Sequence, residues 1–195
     1  MTDVSRTSRR LNPTVIQATD VNMSDVLVRQ DYNVLTGIAK EYFGQGVETY
    51  FSNLSDANKP VYLHVEDKRV DRLDMCSQSL MEVPNGIDKL VNLRELHLRG
   101  NQIKDVSELG NLLNLRALRL SDNQVEDVSG LGDLVNLEWL GLGGNQIKDV
   151  SGLSNLVNLR ELVLGGNPNL DCNSENNKKV IDKLKARGCN MLYYF

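Results

Sequence analysis

"NQIKDVS" runs from Asn101 to Ser107, and the same seven residues return at Asn145 to Ser151. A near copy, "NQVEDVS", lies midway at Asn123 to Ser129, so the phrase recurs at a strict interval of 22 residues. Self-similarity at a period of roughly 20–50 residues marks a solenoid, in which each unit stacks on the one before. In frame the units read "LVNLRELHLRGNQIKDVSELGN" (90–111), "LLNLRALRLSDNQVEDVSGLGD" (112–133) and "LVNLEWLGLGGNQIKDVSGLSN" (134–155). A fourth, "LVNLRELVLGGNPNLDCNSENN" (156–177), starts in phase and breaks after Asn167, and a divergent unit at 70–89 precedes the series.

Each position has a physical reason. The "LxLxxN" core alternates apolar and polar residues, the period of a half-buried strand. Leu96 and Leu98 therefore point inward, as do Leu118 and Leu120, Leu140 and Leu142, and Leu162 and Leu164. Ile103, Val106 and Leu109, with Val125, Val128 and Leu131 in the next unit, close the coil. Each such side chain contributes roughly 1.5–3 kcal/mol on burial, but one coil cannot bury its own apolar face, so neighbours must stack. Asn101, Asn123, Asn145 and Asn167 form one column at the strand ends. There an amide both donates to and accepts from backbone groups that would otherwise be buried unpaired. Gln78 takes this place in the divergent unit. In "DVSxL", an Asp or Ser before a short apolar run starts a helical turn, and the roughly ten residues left to return the chain favour a single 3₁₀ turn.

At these residues the sequence resembles the leucine-rich repeat family. The 22-residue period and the "NQIxDVSxLxxLxNL" wording are most similar to the internalin-type bacterial subclass, over residues 70 to about 171. The resemblance implies an α/β solenoid with a parallel β-sheet on its concave face and 3₁₀ turns on its convex face. It also implies a protein partner bound on the concave face.

An open solenoid needs caps. The expected organisation is a flexible segment at 1–22, a helical N-terminal cap with a strand at 23–69, repeats at 70–171 and a C-terminal cap at 172–195. In the first cap, 24–44 has helical spacing through Val28, Tyr32, Leu35, Ala39, Tyr42 and Phe43. A short helix at 47–54 and a strand at 59–65 follow, and five aromatics between Tyr42 and Tyr62 read as cap core. In the second cap, Ser174 N-caps a helix to about Arg187 with Val180, Ile181 and Leu184 inward, Gly188 stops it, and "CNMLYYF" returns as an edge strand.

Residues 70–171 carry nine Lys and Arg against fifteen Asp and Glu, net −6. That excess argues against nucleic-acid binding, which needs cations to displace counterions. No run approaches the roughly 18 apolar residues of a membrane span. "MTDVSRTSRRLNPT" has basic residues with no apolar stretch behind them, unlike a secretory signal. Cys76, Cys172 and Cys189 are an odd count without CxxC spacing and read as reduced thiols. A cytoplasmic monomer is expected, and internalin adhesion is not carried over.

Between the inward leucines, three outward columns form: Arg72, Glu95, Ala117, Trp139, Glu161; Asp74, His97, Arg119, Gly141, Val163; and Cys76, Arg99, Ser121, Gly143, Gly165. Trp139, the single tryptophan, lies here rather than in the core columns, and the glycines beside it are expected to leave its ring accessible. Trp and Arg are enriched at interface hot spots. The candidate contact residues are Trp139, Arg119, His97, Arg99, Glu95 and Glu161.

Bland readings win elsewhere. His97, Glu95 and Asp74 suggest acid–base work, but Ser121 and Cys76 stand whole coils or columns away, so no nucleophile accompanies them. "GLGGN" (141–145) lacks the GK[ST] ending of a phosphate loop. Turn capping accounts for Asp105, Asp127 and Asp149 without a metal, and Cys172 with Cys189 reads as a pair of thiols in one cap. No cofactor is expected. The reading is a non-enzymatic interaction module; the rivals are an effector or adhesin exported without a cleaved signal, and a small enzyme unit at 24–65 targeted by the repeats.

Overall fold

The computed structural model describes residues 29–43 and 62–193. Their elements run in chain order: helix α1 (Arg29–Phe43), then strands β1 (Tyr62–Glu66) and β2 (Arg69–Asp74). Four three-residue strands follow, β3 (Glu95–His97), β4 (Ala117–Arg119), β5 (Trp139–Gly141) and β6 (Glu161–Val163), and then helix α2 (Glu175–Ala186) and strand β7 (Asn190–Leu192). One seven-stranded sheet takes them in order from β1 to β7. β1 and β2 form an antiparallel hairpin, turned by Asp67 and Lys68 with φ of 49° and 61°. Every later pairing is parallel. The register is the repeat itself: Leu73, Leu96, Leu118, Leu140 and Leu162 are successive partners, and Met191 of β7 extends the row. The short helix at 47–54, the flexible segment at 1–22 and the side chains of the aromatic cluster lie outside the described residues.

Opposite the sheet, 3₁₀ turns at Ile87–Lys89, Ser107–Asn111, Ser129–Leu131 and Ser151–Asn155 return the chain. Asp105, Asp127 and Asp149 each accept from the N–H two residues on, at 2.8, 2.8 and 2.6 Å. These local bonds compete with strand formation and force the bend. Gly152 meets the preceding coil so closely that a Cβ there would lie 2.6 Å from Ser129 Cα. Gly130 holds the matching place one coil earlier, and Glu108, two coils earlier, is tolerated because it faces the differently built turn at 87–89.

The core is a stack of leucine layers, with Leu96, Leu118, Leu140 and Leu162 all at 0% exposure. The asparagine column runs along its edge. Asn123 Nδ2 donates to Leu98 O of the preceding coil and Leu120 O of its own, at 2.9 and 3.0 Å. Its Oδ1 accepts from the Ile103 N–H at 3.0 Å. Asn101, Asn145 and Asn167 likewise donate to at least one carbonyl in each of two coils and accept from the preceding one. Gln78 does not take this role: its Nε2 donates to Cys76 O, and it is Asn101 that reaches back into the first unit. A second column escaped the sequence reading. Asn114, Asn136 and Asn158 donate from "NL" to Val91, Leu113 and Val135 carbonyls one coil back, at 2.7–2.9 Å.

Both ends are closed. Leu35, Ile38 and Ala39 of α1 are buried; Ile38 was not in the predicted stripe. Asp31, fully buried, accepts from the Val70 N–H at 2.7 Å and so ties α1 to β2. Its other oxygen lies 3.4 Å from Arg69 Nε. Val180, Ile181 and Leu184 of α2 face the last coil, and Gly188 stops the helix at φ 90°. Ser174 occupies the N-cap, but its hydroxyl donates to Asp171 O instead of capping the helix. Asn177, in the first turn of α2, ties the helix to the return segment of the third repeat. Its Oδ1 accepts from the Val150 N–H and its Nδ2 donates to Lys148 O, both at 2.9 Å.

Asn123→Ala leaves buried groups on two coils unpaired and should cost about 2–3 kcal/mol in denaturant melts. An unchanged melt would contradict the ladder's structural role. Deleting residues 172–195 should expose the fourth-repeat leucines and cause aggregation, seen by light scattering. Asn177→Ala should lower the melting temperature while the chain stays monomeric; an unaltered midpoint would show that the cap is held by apolar contact alone.

Candidate functional site

Alternation in β3 to β6 sends every second side chain away from the core, and the paired register stacks them. The structure brings the predicted columns together as partners: Glu95 with Ala117 and Trp139 with Glu161 in one, His97 with Arg119 in the next. The face divides in two. Toward the N-terminal end it is charged. Arg72 Nη2 donates to Glu95 at 2.6 Å, and His97 sits between Asp74 (Nδ1 to Oδ2, 3.1 Å) and Glu95 (Nε2 to Oε2, 3.7 Å). Arg99 Nε donates to Asp122 at 2.9 Å. Toward the C-terminal end Gly141, Gly143 and Gly165 leave the backbone bare of side chains.

Trp139 lies lower than alternation implied. It is half-buried, its Nε1–H donates to Glu161 Oε1 at 2.8 Å, and its ring leans over Gly141. A Cβ at Gly141 would come within 2.5 Å of the ring, so glycine is what lets the indole lie down. The glycine expected to expose the ring instead gives it a seat. The Arg119 guanidinium completes the cluster, 4.9 Å from the ring centroid.

This geometry does not build a nucleophile. Burial, together with the hydrogen bond and charge of Asp74, pushes the Cys76 thiol up to about 12, so it stays protonated at neutral pH. Burial opposes ionisation of Asp74, but bonds from His97 and from the Cys76 backbone and thiol outweigh it and hold its pKa below the ordinary value. His97 is therefore engaged by two carboxylates and has no activated hydroxyl or thiol beside it. The three cysteines are free thiols, and the described residues hold no group of three or more metal-ligating side chains.

Sequence reasoning missed a second surface. A groove of about 540 Å³ runs along the strand-entry edge, lined by Asn92, Asn114, Asn136 and Asn158 beside Arg94, Arg116, Glu138 and Arg160. Much of its chemistry is spent internally. Three of those amides bond the preceding coil, and Glu138 lies 3.8 Å from Arg116 and 3.5 Å from Arg160. Beside it Val91, Leu113, Val135 and Val157 form an exposed aliphatic row. The 22-residue recurrence of an apolar residue before "NL" was its visible signal.

The family described as Leucine Rich repeats (2 copies) matches residues 91–133 and 135–178. Among curated proteins no match was found. Among solved structures, an internalin (InlF) of Listeria monocytogenes aligns with 85% of this chain at 29% identity and a TM-score of 0.59. A leucine-rich-repeat protein of Leptospira interrogans aligns with 57% at 30% identity and a TM-score of 0.50. The leucine-rich-repeat ectodomain of the receptor kinase SOBIR1 of Arabidopsis thaliana aligns with 71% at 24% identity and a TM-score of 0.53, a likeness of fold. The chain spans 45% of the Listeria protein and 28% of the Leptospira protein. With its period, parallel sheet, 3₁₀ turns and asparagine column, this chain carries a leucine-rich-repeat solenoid whose repeats are like those of the internalins.

Proposed function

We propose that the chain is a non-enzymatic interaction module that binds a protein partner on the open, concave face of its sheet. The observation that carries this reading is the Trp139 cluster: a half-buried indole, oriented by Glu161 and Gly141, with Arg119 against it, beside a floor of glycines. Oriented aromatic and Arg side chains, fixed before the partner arrives, lose little entropy on binding. Glu95, His97 and Arg99 supply a charged rim on the same face. α1 supports the cap reading over an independent enzyme unit, because Asp31, Gln30 and Glu41 all bond residues of the first coil. A cytoplasmic monomer belongs to this proposal, on the reduced-thiol reading of the cysteines. No helix among the described residues is long and apolar enough to cross a membrane.

A photo-crosslinking residue at Ala117, on the sheet face, should capture a defined protein, while the same residue at Lys104, on the return segment, should not. Equal capture from both, or capture from Lys104 alone, would move the interface off the sheet. Trp139→Ala should weaken that capture and, because the ring is half-buried and bonded, also cost about 1–2 kcal/mol of stability. Glu126→Ala, in an exposed pair with Lys148, should change neither. Gly141→Ala should displace the indole and shift its fluorescence to longer wavelength; an unshifted spectrum would show that the ring does not depend on that seat.

A further inference from the structure

The open face carries three arginines, and they are not equivalent. Arg72 is bonded to Glu95 and Arg99 to Asp122. Arg119 has no carboxylate partner among the described residues; its contact is the Trp139 ring at 4.9 Å. A ring accepts no conventional hydrogen bond, so the donors in the guanidinium plane are left without an acceptor, while the stack restrains the side chain. The indole is itself held, by the 2.8 Å bond from Nε1 to Glu161 and by its seat over Gly141. Next to Arg119 lies the part of the face without long side chains, formed by Ser121, Gly143 and Gly165.

We propose that Arg119, seated on Trp139, is the receptor for one carboxylate of the partner, from an acidic side chain or a chain terminus. The rest of that partner segment lies extended over the Ser121–Gly143–Gly165 floor. This rests on the sheet-face reading above and gives that site its ligand chemistry. A guanidinium fork matches the two coplanar oxygens of a carboxylate. A phosphate dianion meets more repulsion here, because Glu161 and Asp122 already place negative charge on the face.

The test follows the Arg Nε–H and Trp139 Nε1–H resonances of the full chain during titration. The probes are acetylglutamate N-methylamide, which offers a side-chain carboxylate, and acetylalanine, which offers a terminal one. Sodium chloride and inorganic phosphate at matched ionic strength are the controls. The Arg119 and Trp139 signals should move together along a saturating curve with at least one carboxylate, and Arg72 and Arg99 should move much less. The stronger of the two probes identifies the source. Arg119→Lys keeps the charge and loses the fork, and should weaken the Trp139 response about fivefold or more; its melting curve reports that the fold is kept. Linear shifts equal to those with chloride, equal movement of the three arginines, tighter binding of phosphate, or an unaltered response in Arg119→Lys would each overturn the proposal. Crosslinking from Ala117 does not depend on charge. Crosslinks without a carboxylate response reject the receptor and keep the face; a carboxylate response without crosslinks does the reverse.

Discussion

The amide of a buried asparagine, sitting at the end of a strand, bonds two coils at once. A hydrophobic stack alone is non-directional, and leucines would tolerate a slipped coil. The asparagine does not. Asn145 donates to carbonyls of Leu120 and Leu142 and accepts from Val125, so a slip of one residue would leave three buried groups unpaired. Backbone bonds between coils run on past the three-residue strands, as from the Leu98 and Gly100 N–H groups to Arg119 and Ser121 O at 2.8 and 3.0 Å. The column locks the register that this ladder shares, and the apolar layers supply the stabilisation.

Register in turn makes the open face a definite surface. Because each coil repeats its phase, residues far apart in the chain become neighbours at strand spacing, and Arg119, Trp139 and Glu161 meet across three coils. The convex side contributes by staying thin. At Gly152 a coil approaches its neighbour more closely than a side chain allows, while the opposite face holds its columns in contact. Glycine thus serves two purposes, close stacking behind the sheet and a seat for the indole in front of it.

The strand positions, the inward leucines, the Asn column and the 3₁₀ turns were legible because each follows from local alternation or from a residue type that recurs in phase. What was not legible depended on side chains leaving their own column. Alternation placed Trp139 on the open face, yet only the missing side chain at Gly141, one column over, let the ring lie down. Asn177 was hidden because it bonds a repeat's return segment from outside the periodic units, on a helix. Asp31 was hidden because an acid in a helical stripe reads as exposed, whereas here it answers an N–H of β2. The second amide column stood in the written repeat at every "NL" and went unread because its residues are exposed; periodicity, rather than burial, was its signal.

Native-state hydrogen exchange at Ile103, Val125 and Ile147 tests the central claim most directly. Each of these N–H groups bonds the side chain of the asparagine one coil on. If those amides lock the coils and so fix the sheet face, the three protons exchange slowly and together, at a free energy close to that of global unfolding. Exchange as fast as in the exposed return segments would show that coils open singly, and the arrangement of Arg119, Trp139 and Glu161 would then not be a fixed surface.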